Sequence, residues 1–134
     1  MEKTIYVHIG PHKTGTTTIQ KGLLLNEDVL KSMGVLIPRS GRSMTETAGH
    51  HNLAWELQNN AKFDPFYGTW NDLTREIRNN SDINKVVLSA EGFCSINEQE
   101  VEKIGEKLTG HQVKILMYLR NQGQALQSSW VSQV

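Results

Sequence analysis

Hydrophobic positions along the chain switch repeatedly between a strand-like and a helix-like spacing. Thr4 to Ile9 is a short run of β-branched and aromatic residues and predicts the first strand. Ile19, Leu23, Leu24 and Val29 recur at mostly helical spacing, so a helix is expected from Thr16 or Thr17 to about Lys31, ended by Met33-Gly34. Val35-Leu36-Ile37 predicts a second strand stopped by Pro38. Arg39 to Gly49 is polar and rich in Ser, Thr and Gly, and reads as a mobile loop. Helices are expected over His50 to Asn60, with Leu53, Ala54 and Leu57 on one face, and over Thr69 to Asn79, with Trp70, Leu73 and Ile77 spaced for burial. Lys85 to Ser89 is a compact apolar run of the kind buried on both faces of a parallel sheet. Ile96 to Leu108 predicts a helix capped by Asn97, with Val101, Ile104 and Leu108 as its stripe. Val113 to Leu119 is the fourth strand, and Gln122 onward reads as a helix. Strands alternating with helices give an α/β fold: a three-layer parallel sheet of about four strands, helices on both faces, ligand at the strands' carboxyl ends.

Size and charge narrow this picture. The 134 residues suit one domain, 1–134, and fourteen basic side chains balance fourteen acidic ones. No nucleic acid or anionic membrane is therefore expected as a partner, and any anion site must be local. Cys94 is the single cysteine, which fits a reducing compartment. No apolar run approaches a membrane span and no signal-peptide core precedes the first strand, so a cytoplasmic location is expected. Nothing near Ser132-Gln133-Val134 resembles a helix stop, and the chain reads as a portion of a longer protein.

Candidate chemistry begins where the first strand ends. Ile9-Gly10-Pro11-His12-Lys13-Thr14-Gly15-Thr16-Thr17 runs from strand through a tight loop into a helix start. Such a junction presents backbone N–H groups and the positive end of a helix dipole to a phosphate or sulfate. Lys13 adds charge, and Thr14, Thr16 and Thr17 add donors. Gly10 and Gly15 keep the glycine spacing of a Walker A loop, but Thr16 follows Gly15 and the lysine stands earlier, at Lys13.

The pattern Lys-x-Gly-Thr-Thr after a hydrophobic strand resembles the 5′-phosphosulfate loop of sulfotransferases that use 3′-phosphoadenosine 5′-phosphosulfate (PAPS). Two further segments resemble that family in its order. Arg120, at the end of the fourth strand, and Ser128, eight residues on, match the pair that grips the cofactor's 3′-phosphate; on their own they would read as surface residues. Leu88-Ser89-Ala90-Glu91-Gly92-Phe93 resembles the segment whose glutamate is the base; on its own Glu91 could equally cap a turn or pair with a neighbouring cation. The resemblance spans the chain from the first strand to Trp130. It implies a P-loop NTPase-like sulfotransferase fold and transfer of a sulfuryl group from PAPS to a hydroxyl or amine of an unidentified acceptor. In that reading Lys13 and Glu91 are catalytic. Lys13, Thr14, Gly15, Thr16, Thr17, Arg120 and Ser128 hold PAPS, and no metal is needed. The chain departs from the family at Gln122-Gly123, where proline or arginine is usual, and lacks the family's basic, glycine-rich C-terminal segment.

His12, within the loop, and His51, in His50-His51-Asn52-Leu53-Ala54, are candidate acceptor or auxiliary groups, whereas His8 reads as a packed or supporting residue. No set of His, Cys, Asp and Glu has metal-ligand spacing. Trp55 and Trp70, spaced with aliphatic residues, are expected in the core. Two rival functions are an ATP-dependent P-loop phosphotransferase and a non-catalytic nucleotide-binding fragment of the same fold.

Overall fold

Ile5 and Val7 alternate with Thr4, Tyr6 and His8, and this alternation makes β1 (Thr4–Ile9) the centre of a sheet. The computed structural model describes residues 2–9, 16–43, 48–120 and 126–131; for 16, 17, 91, 94, 118–120 and 126–131 it describes the backbone alone. The sheet order is β2-β3-β1-β4-β5, with β2 at Val35–Leu36, β3 at Lys85–Ala90, β4 at Gln112–Arg120 and β5 at Leu126–Val131. β2, β3, β1 and β4 run parallel, as the α/β pattern predicts.

Register places the core. Ile5 lies level with Val86 and Val113, and Val7 with Leu88 and Ile115, so these side chains share one face. Against that face pack α3 (His51–Gln58), α4 (Trp70–Asn79) and α5 (Glu98–Lys107), through Leu53, Leu57, Leu73, Ile77 and Ile104. Trp70 is fully buried and gives its indole N–H to the Leu53 carbonyl at 2.9 Å, so its one polar atom is satisfied inside the core. Both helix starts carry capping boxes, Thr69 with Asp72 and Asn97 with Glu100. An apolar cleft of about 470 Å³ separates α5 from β1 and β4, with Ile9, Phe93, Val101 and Ile115 in its walls.

Several expectations fail for identifiable reasons. The helix expected over 16–31 is two helices, α1 (Thr16–Leu25) and α2 (Glu27–Ser32). Asn26 interrupts it, its side-chain amide returning to the Gly22 carbonyl at 2.8 Å, the local competition that disfavours Asn in helix interiors. Val29 and Val101 keep the apolar spacing yet are 58% and 49% exposed, Val101 because it stands in the wall of the open cleft beside α5. The helix expected from Gln122 onward is not found over the described residues 126–131. Leu126–Val131 pairs antiparallel with β4, Arg120 opposite Leu126 and Tyr118 opposite Ser128. Serines and a Trp-Val pair are poor helix-interior residues, and a strand there satisfies the outer backbone groups of β4.

The segment from Arg39 to Gly49 is not a loose loop where it is described. Glu76 accepts from the Arg39 and Ser40 amides and the Ser40 hydroxyl, at 2.8–3.2 Å. Arg42 makes a two-pronged ion pair with Glu27, 2.7 Å at its shorter arm, and reaches the Pro38 and Ile37 carbonyls. The Arg42 hydrogen bond holds the Glu27 carboxyl below its ordinary range. Among the described residues of this segment, Arg39, Ser40 and Arg42 are held by internal bonds.

Candidate functional site

The carboxyl ends of β1 and β3 meet at Ser89, which binds three other segments at once. Its hydroxyl stands 2.7 Å from His8 Nδ1 and 3.1 Å from the Gln20 side-chain amide of α1. Gln20 donates to the hydroxyl oxygen, and the same hydroxyl pairs with His8 Nδ1. Burial lowers the His8 pKa.

The backbone of Ser89 meets a different partner. β2 ends at Leu36, so the β3 edge beyond Val86 has no neighbouring strand to pair with. His50 fills that place. Its N–H donates to the Ser89 carbonyl at 2.6 Å, and its Nδ1 accepts the Ser89 N–H at 3.0 Å. Its Nε2 donates to the Pro38 carbonyl at 2.8 Å. A carbonyl can only accept, so the proton is on Nε2 and the ring is neutral. His50 is fully buried, and burial drives its pKa down to about 4. A residue used at both nitrogens and the main chain is a strut, unavailable to an acceptor molecule.

His51 is placed differently. It is half-buried at the start of α3 and stacks on Trp55, centroids 6.0 Å apart. A β-carbon on Gly49 would lie 2.5 Å from His51 Nε2 and 2.9 Å from the Gln20 amide oxygen, so glycine is what lets the ring sit beside Gln20. His51 thus flanks the Ser89 cluster, one turn ahead of Trp55. Trp55 itself is not a core residue as its spacing suggested: it is half-buried, with the Lys62 ammonium 6.0 Å from its ring. Trp70 alone takes the core position.

Glu91 opens a 3-10 turn, Glu91–Ser95, directly after Ala90, the register partner of Ile9. Its backbone therefore lies one residue past the end of the β1–β3 pairing. The turn is braced on α3 by the Gln58 amide, 3.2 Å from the Gly92 carbonyl, and by Gly92, where a β-carbon would touch Ala54 at 3.0 Å. Arg120 ends β4 on the same edge, four positions past Leu116, the partner of His8. Ser128 is not two turns into a helix but in β5, opposite Tyr118. Thr16 and Thr17 begin α1. His12, Lys13, Thr14 and Gly15 lie outside the described residues.

Three supporting residues gave no signal in sequence. Asn52, fully buried, donates to the Asp64 and Gly68 carbonyls at 2.8 and 2.9 Å and accepts the Asp64 N–H at 3.0 Å, fastening 64–68 to α3. Gln20 and Glu76 act similarly on their own segments. Polar residues within or beside apolar runs are the only hint such anchors leave, and it does not say what they hold.

No protein-family model matches the chain, and no curated protein or solved structure matches it either. No helix among the described residues is long and apolar enough to cross a membrane. Those residues also gather no group of three or more His, Cys, Asp and Glu side chains able to hold a metal ion.

Proposed function

We propose that the protein transfers a sulfuryl group from PAPS to a hydroxyl or amine, within a P-loop-like sulfotransferase fold. The observation that carries the reading is the arrangement of β1 and β3. They are adjacent and parallel, yet the helix after β1 meets one face of the sheet and the helix after β3 meets the other. Gln20 of α1 bonds Ser89 on the His8 face, whereas Ile104 of α5 packs with Ile5 and Val7. Helices diverging to opposite faces open a crevice at the strands' carboxyl ends, the usual ligand position in parallel α/β sheets. In sequence the segment carrying Lys13 follows β1 and Glu91 follows β3, and Arg120 ends β4, the other strand beside β1.

In the proposed reaction the acceptor oxygen or nitrogen attacks sulfur as the bond from sulfur to the 5′-phosphate oxygen breaks. 3′-Phosphoadenosine 5′-phosphate (PAP) leaves. Lys13 and the amides and hydroxyls of Gly15, Thr16 and Thr17 carry the charge that develops on the phosphate. Glu91 takes the acceptor's proton. Arg120 holds the 3′-phosphate through its planar fork of donors. The acceptor would enter beside His51 and Trp55.

Thermal shift with PAP, ADP and ATP, each with and without Mg²⁺, tests the proposal. PAP should stabilise without metal, by about 2.7 kcal/mol at a hundredfold excess over its dissociation constant. Lys13→Ala should abolish transfer, since losing one preorganised donor costs ~3–4 kcal/mol of barrier. Preference for ATP with Mg²⁺ would instead make the protein a phosphotransferase. PAP binding without transfer in any acceptor screen would leave a nucleotide-binding module.

A further inference from the structure

We propose a second anion site at the opposite, amino-terminal edge of the sheet, for a multivalent oxyanion of the phosphate class. A cavity of about 380 Å³ lies there, between the residue preceding β1, the last turns of α4 and α5, and the approach to β4. Lys3, Arg78, Lys107 and His111 stand in its wall with the hydroxyl residues Thr74 and Ser81, and no carboxylate does. In a chain whose charges cancel overall, three cationic side chains around one cavity are a local excess, to which His111 adds a neutral donor.

Two of the four are fixed in place. Lys3 is only 5% exposed, and its ammonium donates to the Asn80 carbonyl at 2.9 Å and to that of Ile83. An ammonium has three donors, so one is left for a ligand. His111 Nδ1 accepts the Lys3 backbone N–H at 3.1 Å, which puts the ring proton on Nε2 as a further donor. Burial and the Lys3 charge lower the His111 pKa, opposed by Glu2, the acidic group that acts on it. Arg78 and Lys107 are exposed and have no ion-pair partner among the described residues. Their place in the last turns of α4 and α5 suits the helix dipoles, and that alone would account for them. It does not account for a buried Lys3 or for an oriented His111. The buried pair would position the anion, and the exposed pair would supply further charge at its outer side.

The test is an NMR titration of the full chain with orthophosphate, pyrophosphate and PAP at ionic strength held constant with NaCl, following the His111 and His51 rings. Pyrophosphate should shift His111 saturably and leave His51 unmoved. Arg78→Gln combined with Lys107→Gln should weaken that binding at least tenfold while the urea midpoint stays put. An inorganic ligand would bind better as pyrophosphate, a nucleotide better as PAP. A response at His111 that does not saturate, that NaCl reproduces, or that survives the double substitution would overturn the proposal. The first site is read separately at His51, so either assignment can fail alone.

Discussion

Acidification should strain the strut at His50 before it touches most of the fold. The ring is neutral because Pro38 takes its only proton and Ser89 N–H occupies the other nitrogen. A second proton on Nδ1 would face a donor. The pKa is accordingly about 4 in the folded chain against 6.5 for a free histidine. Between those values the unfolded chain binds more protons than the folded one, so stability is complete above pH 6.5 and declines as pH falls toward 4. Carried from pH 7.5 to 4.5, this one residue removes about 2–3 kcal/mol. His8 and His111 are lowered in the same direction, so the total pH dependence mixes several groups. His50→Gln separates them, since a glutamine amide can donate to Pro38 and accept from Ser89 without titrating. Urea unfolding of both proteins across this range should show the variant losing about 2–3 kcal/mol less than the parent. Parallel curves would mean that His50 takes up its proton in the folded state at an ordinary pH, and the strut argument would be wrong.

Two further substitutions test the supports of the site. Asn52→Ala removes three bonds and leaves the Gly68 carbonyl and the Asp64 N–H without partners, the Asp64 carbonyl keeping the Tyr67 N–H, and should cost about 2–4 kcal/mol in urea unfolding. A loss under about 0.5 kcal/mol would show that water replaces the amide. Gly41 has φ of +94° and would set a β-carbon 2.5 Å from Leu53 Cγ, so Gly41→Ala should destabilise by about 1–3 kcal/mol, read in the same assay.

Periodicity made the order of elements readable up to β4, because burial on one sheet face imposes the same alternation on each strand. Ile5-Val7, Val86-Leu88 and Val113-Ile115 carry it directly, and Asn97 announces its own cap. What failed was decided by contacts distant in sequence. Nothing local distinguishes Leu126–Val131 as a strand until β4 offers it an unpaired edge. Ser, Gly and Arg over 39–43 look like free loop until Glu76 and Glu27, from two different helices, are seen to bind them. The candidate site divides in the same way. Its glycines, Lys13, Glu91 and Arg120 are legible by motif, while Gln20, His50 and Asn52 depend on where chain segments meet. His50 and His51 looked equivalent side by side; the fold makes one a brace and leaves the other accessible.

The bonding around Ser89 limits how this edge could be redesigned. Strand, helix and loop are knotted there through one small residue, directly before Ala90 and Glu91. Changing the length or angle of any one of them would disturb the other two together with the 3-10 turn. Trp55 of α3 and the nearby Lys62 stand outside that knot, and side chains can be exchanged there without loosening it.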